Sequence, residues 1–141
     1  ILLHVARTLT RNHRAVVECY RRLAFNVIAH NHDDHVKNFS FLMNDEGEWS
    51  LAPAYDLTFA MGTGWTARHQ MRVRDKTSGI THADLLAIGE DFDIKPRRRI
   101  FDDMRRVLDR FLDFANATGV PAEAAAAVEN AIAQRRMELG G

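Results

Sequence analysis

Apolar and polar positions recur at helical spacing over most of this chain. Between residues 12 and 29, Val16, Tyr20, Leu23, Ala24, Val27 and Ile28 fall at steps of three and four, with Arg14, Glu18, Arg21 and Arg22 on the other side. That spacing predicts an amphipathic helix. Further on, Phe39-Ser40-Phe41-Leu42-Met43 alternates in size and polarity, and Asn44-Asp45-Glu46-Gly47-Glu48 supplies turn chemistry. Trp49-Ser50-Leu51 then resumes an extended pattern until Pro53 stops it, so a β-hairpin is expected here.

Residues 58–79 keep no sustained period and read as loop, with a short strand expected at 70–73 and with Met61 and Trp65 packed beneath it. Thr81 and Asp84 have the spacing of a capping box, with Asp in place of Glu or Gln, at the head of a short helix. Pro96 marks the first turn of one long helix whose inner face is Ile100, Met104, Val107, Leu108, Phe111, Leu112 and Ala115, stopped by Gly119. Pro121 opens a last, Ala-rich helix with Ala125, Val128, Ile132 and Leu139 inward and two terminal glycines beyond. The fold class predicted is mainly α (α+β): a helical bundle with one β-hairpin, in one domain over residues 1–141.

Composition narrows the classes of function. The 19 Lys and Arg balance the 19 Asp and Glu, so the basic excess of a dedicated nucleic-acid binder is missing. Cys19, the single cysteine, falls in the helical pattern and has no partner for an internal disulfide, which predicts a buried structural thiol in a reducing cytoplasm. No apolar stretch approaches the roughly 20 residues that cross a bilayer, so a soluble protein is expected. The chain opens on Ile1-Leu2-Leu3 without a methionine and reads as a fragment of a longer protein.

The chemistry is concentrated in His30-Asn31-His32-Asp33-Asp34-His35-Val36-Lys37-Asn38 and in Asp56, 18 residues beyond it. Two readings compete. His30, His32, Asp34 and His35 spell H-x-H-x-D-H, letters that suit a zinc hydrolase because imidazole and carboxylate are good Zn²⁺ ligands. The later histidines His69 and His82 do not sit in a recognisable ligand context, and dipole complementation at a helix end accounts for His30 and His32 equally well. Different letters of the same run suit phosphoryl transfer, which needs a carboxylate to accept the hydroxyl proton and oxygen ligands to hold Mg²⁺ across the phosphates. Asp33 and Asn38 reproduce the D-x-x-x-x-N catalytic loop, and Asp56 stands beyond a hairpin where a second metal-binding aspartate belongs. Asp and Asn also shape ordinary turns, but here type, spacing and intervening structure agree at three positions.

The words Phe25-Asn26-Val27-Ile28, Asp33-Asp34-His35-Val36-Lys37-Asn38-Phe39-Ser40-Phe41 and Trp49-Ser50-Leu51-Ala52-Pro53-Ala54-Tyr55-Asp56-Leu57 closely resemble the HipA family of bacterial serine/threonine kinases, toxins of toxin-antitoxin pairs. The resemblance implies a kinase-like C-terminal lobe in which Asp33 is the catalytic base and Asn38 and Asp56 bind Mg²⁺. It sets His35 and Lys37 against the ATP phosphates with Tyr55 beside them, and it assigns Asp34 no role. It further implies a protein substrate, an antitoxin partner through which nucleic acid is met only indirectly, and no membrane. In this family the phosphate-covering loop, the ATP-anchoring lysine and the adenine hinge all precede the catalytic loop. Only 32 residues precede Asp33, so this chain alone is expected to be inactive or nearly so, and to self-associate through apolar surface. A zinc-dependent hydrolase and a non-catalytic interaction module are the alternatives.

Overall fold

The first expected helix is the axis of the structure. A computed structural model describes residues 1–139, so the two terminal glycines expected to follow the last helix lie outside the described residues. The elements run in the order α1 (Leu2–Thr10), α2 (His13–Ile28), β1 (Phe41–Met43), β2 (Trp49–Leu51), α3 (His82–Asp91), α4 (Arg97–Leu108), α5 (Phe111–Ala117) and α6 (Ala122–Glu138), with 3-10 turns at Val36–Asn38 and Gly64–Ala67. Among the described residues the fold is mainly helical with one antiparallel hairpin, the class predicted.

Helix α2 starts at Asn12, whose side chain accepts from the Arg14 amide at 3.0 Å, satisfying one of the free N–H groups of the first turn. Its Val16, Tyr20, Leu23, Val27 and Ile28 are buried as the spacing requires, together with Cys19. Burial pushes the Cys19 thiol up to about 11, which makes it a packing group rather than a nucleophile. The polar side is less polar than its letters. Arg22 is buried, donating to the Ala52 carbonyl at 3.0 Å and pairing with Glu18 at 3.2 Å, and Asn26 is buried too. Elements therefore cover α2 on more than one side, and Arg22 anchors the end of the hairpin to it.

The opening apolar run is itself helical, which the sequence reading did not foresee. Leu3 and Ala6 of α1 are buried, and Arg7 donates to the Phe92 carbonyl at 3.0 Å while its guanidinium covers the Phe92 ring. The hairpin forms where expected but is shorter, with Phe41 opposite Leu51, Leu42 opposite Ser50 and Met43 opposite Trp49. Asn44 closes the turn by accepting from the Glu48 amide at 2.8 Å, and Gly47 supplies the positive φ of 80° there.

Two expectations need correction. The single helix predicted from Pro96 until Gly119 is two, because Arg110 donates its N–H back to Val107 at 3.1 Å and the chain turns before α5. The reason is packing: α4 lies against α2 and α3, whereas α5 lies against α6, so one straight stripe cannot serve both. Val107 and Leu112, expected inside, are consequently exposed. The strand expected at 70–73 is instead a tight turn, in which Val73 and Lys76 exchange backbone hydrogen bonds of 2.9 and 3.0 Å around Arg74 and Asp75, both at positive φ. Met61 and Trp65 are exposed rather than tucked under this loop.

The capping box of α3 is present as predicted, with Thr81 and Asp84 each accepting from the other's backbone. In α6, Ala125, Ile132 and the following Leu139 are buried and Val128 packs on the core. No helix of the described residues is long and apolar enough to cross a membrane.

Candidate functional site

The chemical run leaves the C-terminus of α2 through His30, whose φ of 54° breaks the helix. A short parallel bridge then ties it to the segment after Asp56: His32 donates its N–H to the Ala60 carbonyl at 3.1 Å, and Ala60 returns one to His30 at 3.0 Å. Successive side chains turn to opposite sides, as in any extended stretch. The Asn31 side chain reaches the Asp56 carbonyl and the Asp33 carbonyl accepts from Asn38, while the His32 and Asp34 side chains turn toward residues 66–71. The 3-10 turn Val36–Asn38 then folds the run back on itself.

This folding gathers the residues expected to carry the chemistry. The Asn38 amide Nδ2 donates to the Asp33 carbonyl and to Asp56 Oδ2, both at 2.9 Å. Both contacts use the NH₂ side, which leaves the amide oxygen of Asn38 available to another partner. Asp33 Oδ1 lies 3.5 Å from His35 Nε2 and is buried without a hydrogen bond. Tyr55 donates its hydroxyl to the Lys37 carbonyl at 2.6 Å. Lys37 itself is exposed, so it joins the cluster through its backbone.

Asp56 takes a left-handed φ of 53°, a conformation that costs a non-glycine residue about 1 kcal/mol and persists only where the surroundings hold it. The surroundings do so from both ends. Asn31, 1% exposed, donates to the Asp56 carbonyl and to Asn26 Oδ1, each at 3.1 Å, while Asn38 holds the carboxylate. The sequence reading missed Asn31 and Asn26. The only signal for Asn26 was an amide in an otherwise apolar helix end, and Asn31 stood among histidines and aspartates that drew the chemistry to themselves.

The H-x-H-x-D-H letters are not assembled into a ligand set, since no three His, Cys, Asp or Glu side chains converge among the described residues. His32 Nδ1 lies 2.8 Å from the Thr66 carbonyl and must carry its proton. Its Nε2 therefore accepts, at 3.2 Å, from His30 Nδ1. Burial lowers the affinity of His32 for a second proton. Burial, with the nearby His32 and Arg135, pushes His30 down to about 4. Asp34 is held by His69, and His35 turns to Asp33. His30, His32 and Asp34 are thus engaged by hydrogen bonds on one side of the run, and His35 lies on the other.

Residues beyond the run support it from behind. Arg135 of α6, also missed in sequence, is 5% exposed and donates to the carbonyls of Val27 and Ile80 at 3.1 and 3.0 Å. A fixed cation there satisfies the C-terminal end of α2 just where the run begins.

A family model for the HipA-like C-terminal domain matches residues 1–137. No curated protein matched the chain. The matched span takes in the whole cluster, the hairpin between its parts and the helices that carry it. The chain accordingly belongs to the HipA-like C-terminal domain family.

Proposed function

We propose that this chain is the C-terminal catalytic lobe of a serine/threonine protein kinase, the toxin component of a cytoplasmic toxin-antitoxin pair, that transfers the γ-phosphoryl group of ATP to a protein hydroxyl. Membership of the HipA-like family supports this reading, and the observation that carries it is the double hydrogen bond of Asn38 to Asp33 and Asp56. One amide ties the backbone of the proposed base to the carboxylate of a proposed metal ligand.

In this reading Asp33 accepts the proton of the substrate hydroxyl as the new O–P bond forms and the bond to ADP breaks. Its Oδ1, buried and unpartnered, is the kind of acceptor an incoming hydroxyl satisfies. The exposed Asp56 carboxylate and the spare amide oxygen of Asn38 suit Mg²⁺, which takes one or two protein oxygens and completes its shell with water and phosphate. Bound there, the metal would neutralise charge on the transferring phosphoryl group. His35 would meet the phosphates beside Asp33. Tyr55 would hold the turn that presents Lys37 to them.

Phosphoryl transfer rests largely on positioning, and the reading places the phosphate-covering loop, the ATP lysine and the adenine hinge upstream of this chain. The chain alone is therefore proposed to lack activity. The test is transfer of labelled γ-phosphate by the intact protein and by its Asp33→Ala and Asp56→Ala variants. Undiminished phosphorylation in either variant defeats the assignment.

A further inference from the structure

Asp56 sits in a stretch that does little to place it. Residues 53–59 are all exposed, and among the described residues no backbone–backbone hydrogen bond involves any of them. The stretch is fixed at its ends, where Arg22 donates to the Ala52 carbonyl and Ala60 donates to the His30 carbonyl. Between those points Asp56 is held by two side chains, Asn38 at its carboxylate and Asn31 at its carbonyl. Asn38 stands on the 3-10 turn of the chemical run, whereas Asn31 is fastened to the core.

That fastening is double. The Asn31 backbone N–H donates to the Asn26 carbonyl at 2.9 Å, and its side chain donates to Asn26 Oδ1 at 3.1 Å. Asn26, 2% exposed, belongs to α2, the axis of the fold. The orientation of the Asn31 amide is settled by chemistry, since a carbonyl only accepts and the NH₂ side must therefore face Asp56. Its Oδ1 is then left buried without a partner. An unpartnered buried acceptor destabilises a fold, so packing alone would be better served by a leucine of similar size. What the amide does that a leucine cannot is hold a carbonyl of an exposed loop, and with it the left-handed φ of 53° at Asp56.

We propose that Asn31 is a positioning residue: it ties the loop that carries the proposed metal aspartate to the core helix, and so raises the affinity of the site for a divalent cation. The metal role of Asp56 rests on the kinase reading, while the tie itself stands on geometry. Groups that orient a metal ligand are worth about 10- to 100-fold in affinity, and a loss of about tenfold is expected once Asn31 releases Asp56.

Two variants of the intact protein separate positioning from folding. Asn31→Leu removes the tie but leaves Asn26 Oδ1 buried without its donor. Asn26→Leu combined with Asn31→Leu replaces both amides by apolar groups of similar size, a change that is close to neutral for stability. Mn²⁺ binding is read from the electron paramagnetic resonance signal of the free ion, with the imido analogue of ATP present, and stability from urea midpoints. The dissociation constant for Mn²⁺ should rise about tenfold in both variants, while the larger loss of stability falls on the single one. Affinity that follows stability across the two variants, or that changes in neither, overturns the positioning role. Asp56→Ala is the control for the kinase reading. If it leaves Mn²⁺ binding unchanged, Asp56 is no ligand, and that reading fails together with the proposal. If Asp56→Ala weakens binding and the double variant does not, the role of Asn31 alone is overturned.

Discussion

Asn38 and Asp56, separated by the whole hairpin, are joined side chain to side chain at 2.9 Å, and the same Asn38 nitrogen also reaches the Asp33 carbonyl. The hairpin is the device that brings them there: its strands return the chain to its starting point, and Arg22 fixes the exit at Ala52.

Removing this junction should be felt as a metal requirement. In the intact protein, Asn38→Ala is expected to lower phosphoryl transfer by about 100-fold, with part of the loss recovered by raising Mg²⁺, since both a proposed ligand and the restraint on Asp56 disappear. A loss that no Mg²⁺ concentration relieves would argue that Asn38 acts only on the fold.

Zinc content should be far below stoichiometric. The histidines of the run hydrogen-bond to one another and to Thr66 instead of converging, so protein purified and dialysed without chelator should hold less than about 0.1 equivalent of zinc, against about one for a true site. Retention of a full equivalent would revive the hydrolase reading.

Stability should fall as the medium becomes acidic from near neutrality. His30 is pushed down to about 4 by burial first and then by the nearby His32 and Arg135, while in the unfolded chain it titrates near its ordinary 6.5. Between those values the unfolded state binds a proton that the folded state refuses, so this contribution is fully present above pH 6.5 and is lost progressively as pH falls toward 4. Urea midpoints at pH 7.5, 6 and 5 should decline for the natural chain and decline less for His30→Asn, a residue that tolerates the left-handed φ there. Parallel curves for the two proteins would contradict this.

Arg135 should prove costly to remove. Arg135→Leu leaves the Val27 and Ile80 carbonyls without their donors inside the protein, for an expected loss of about 3 kcal/mol in urea denaturation. A loss below about 1 kcal/mol would mean that water replaces the guanidinium at both carbonyls.

Much of the fold was legible because it repeats. The 3.6-residue spacing of Val16, Tyr20, Leu23 and Val27, the turn chemistry of Asn44 and Gly47, and the Thr81 capping box are local matters, and each formed where the letters predicted. The break between α4 and α5 was not legible, since a continuous apolar stripe does not say how many partners will share it. Nor did the letters distinguish the buried Arg135 from its neighbour Arg136, which pairs with Glu129 at the half-buried edge of α6. In the site, Asp33, Asn38 and Asp56 could be named from type and spacing. Asp34 and Asn31 could not, because each serves a backbone group from a distant segment.

The sequence by itself determined the elements built on a local signal, α2, the hairpin, the capped α3 and α6, and which residues carry ionisable and metal-binding groups, because both depend on side-chain type and near-neighbour spacing. Only the tertiary structure decided how the run His30-Asn31-His32-Asp33-Asp34-His35 divides. Alternate residues leave an extended backbone on opposite sides, and what waits on each side, Asp56 for Asn31 and Thr66 to Met71 for His32 and Asp34, is set by packing over long stretches of chain.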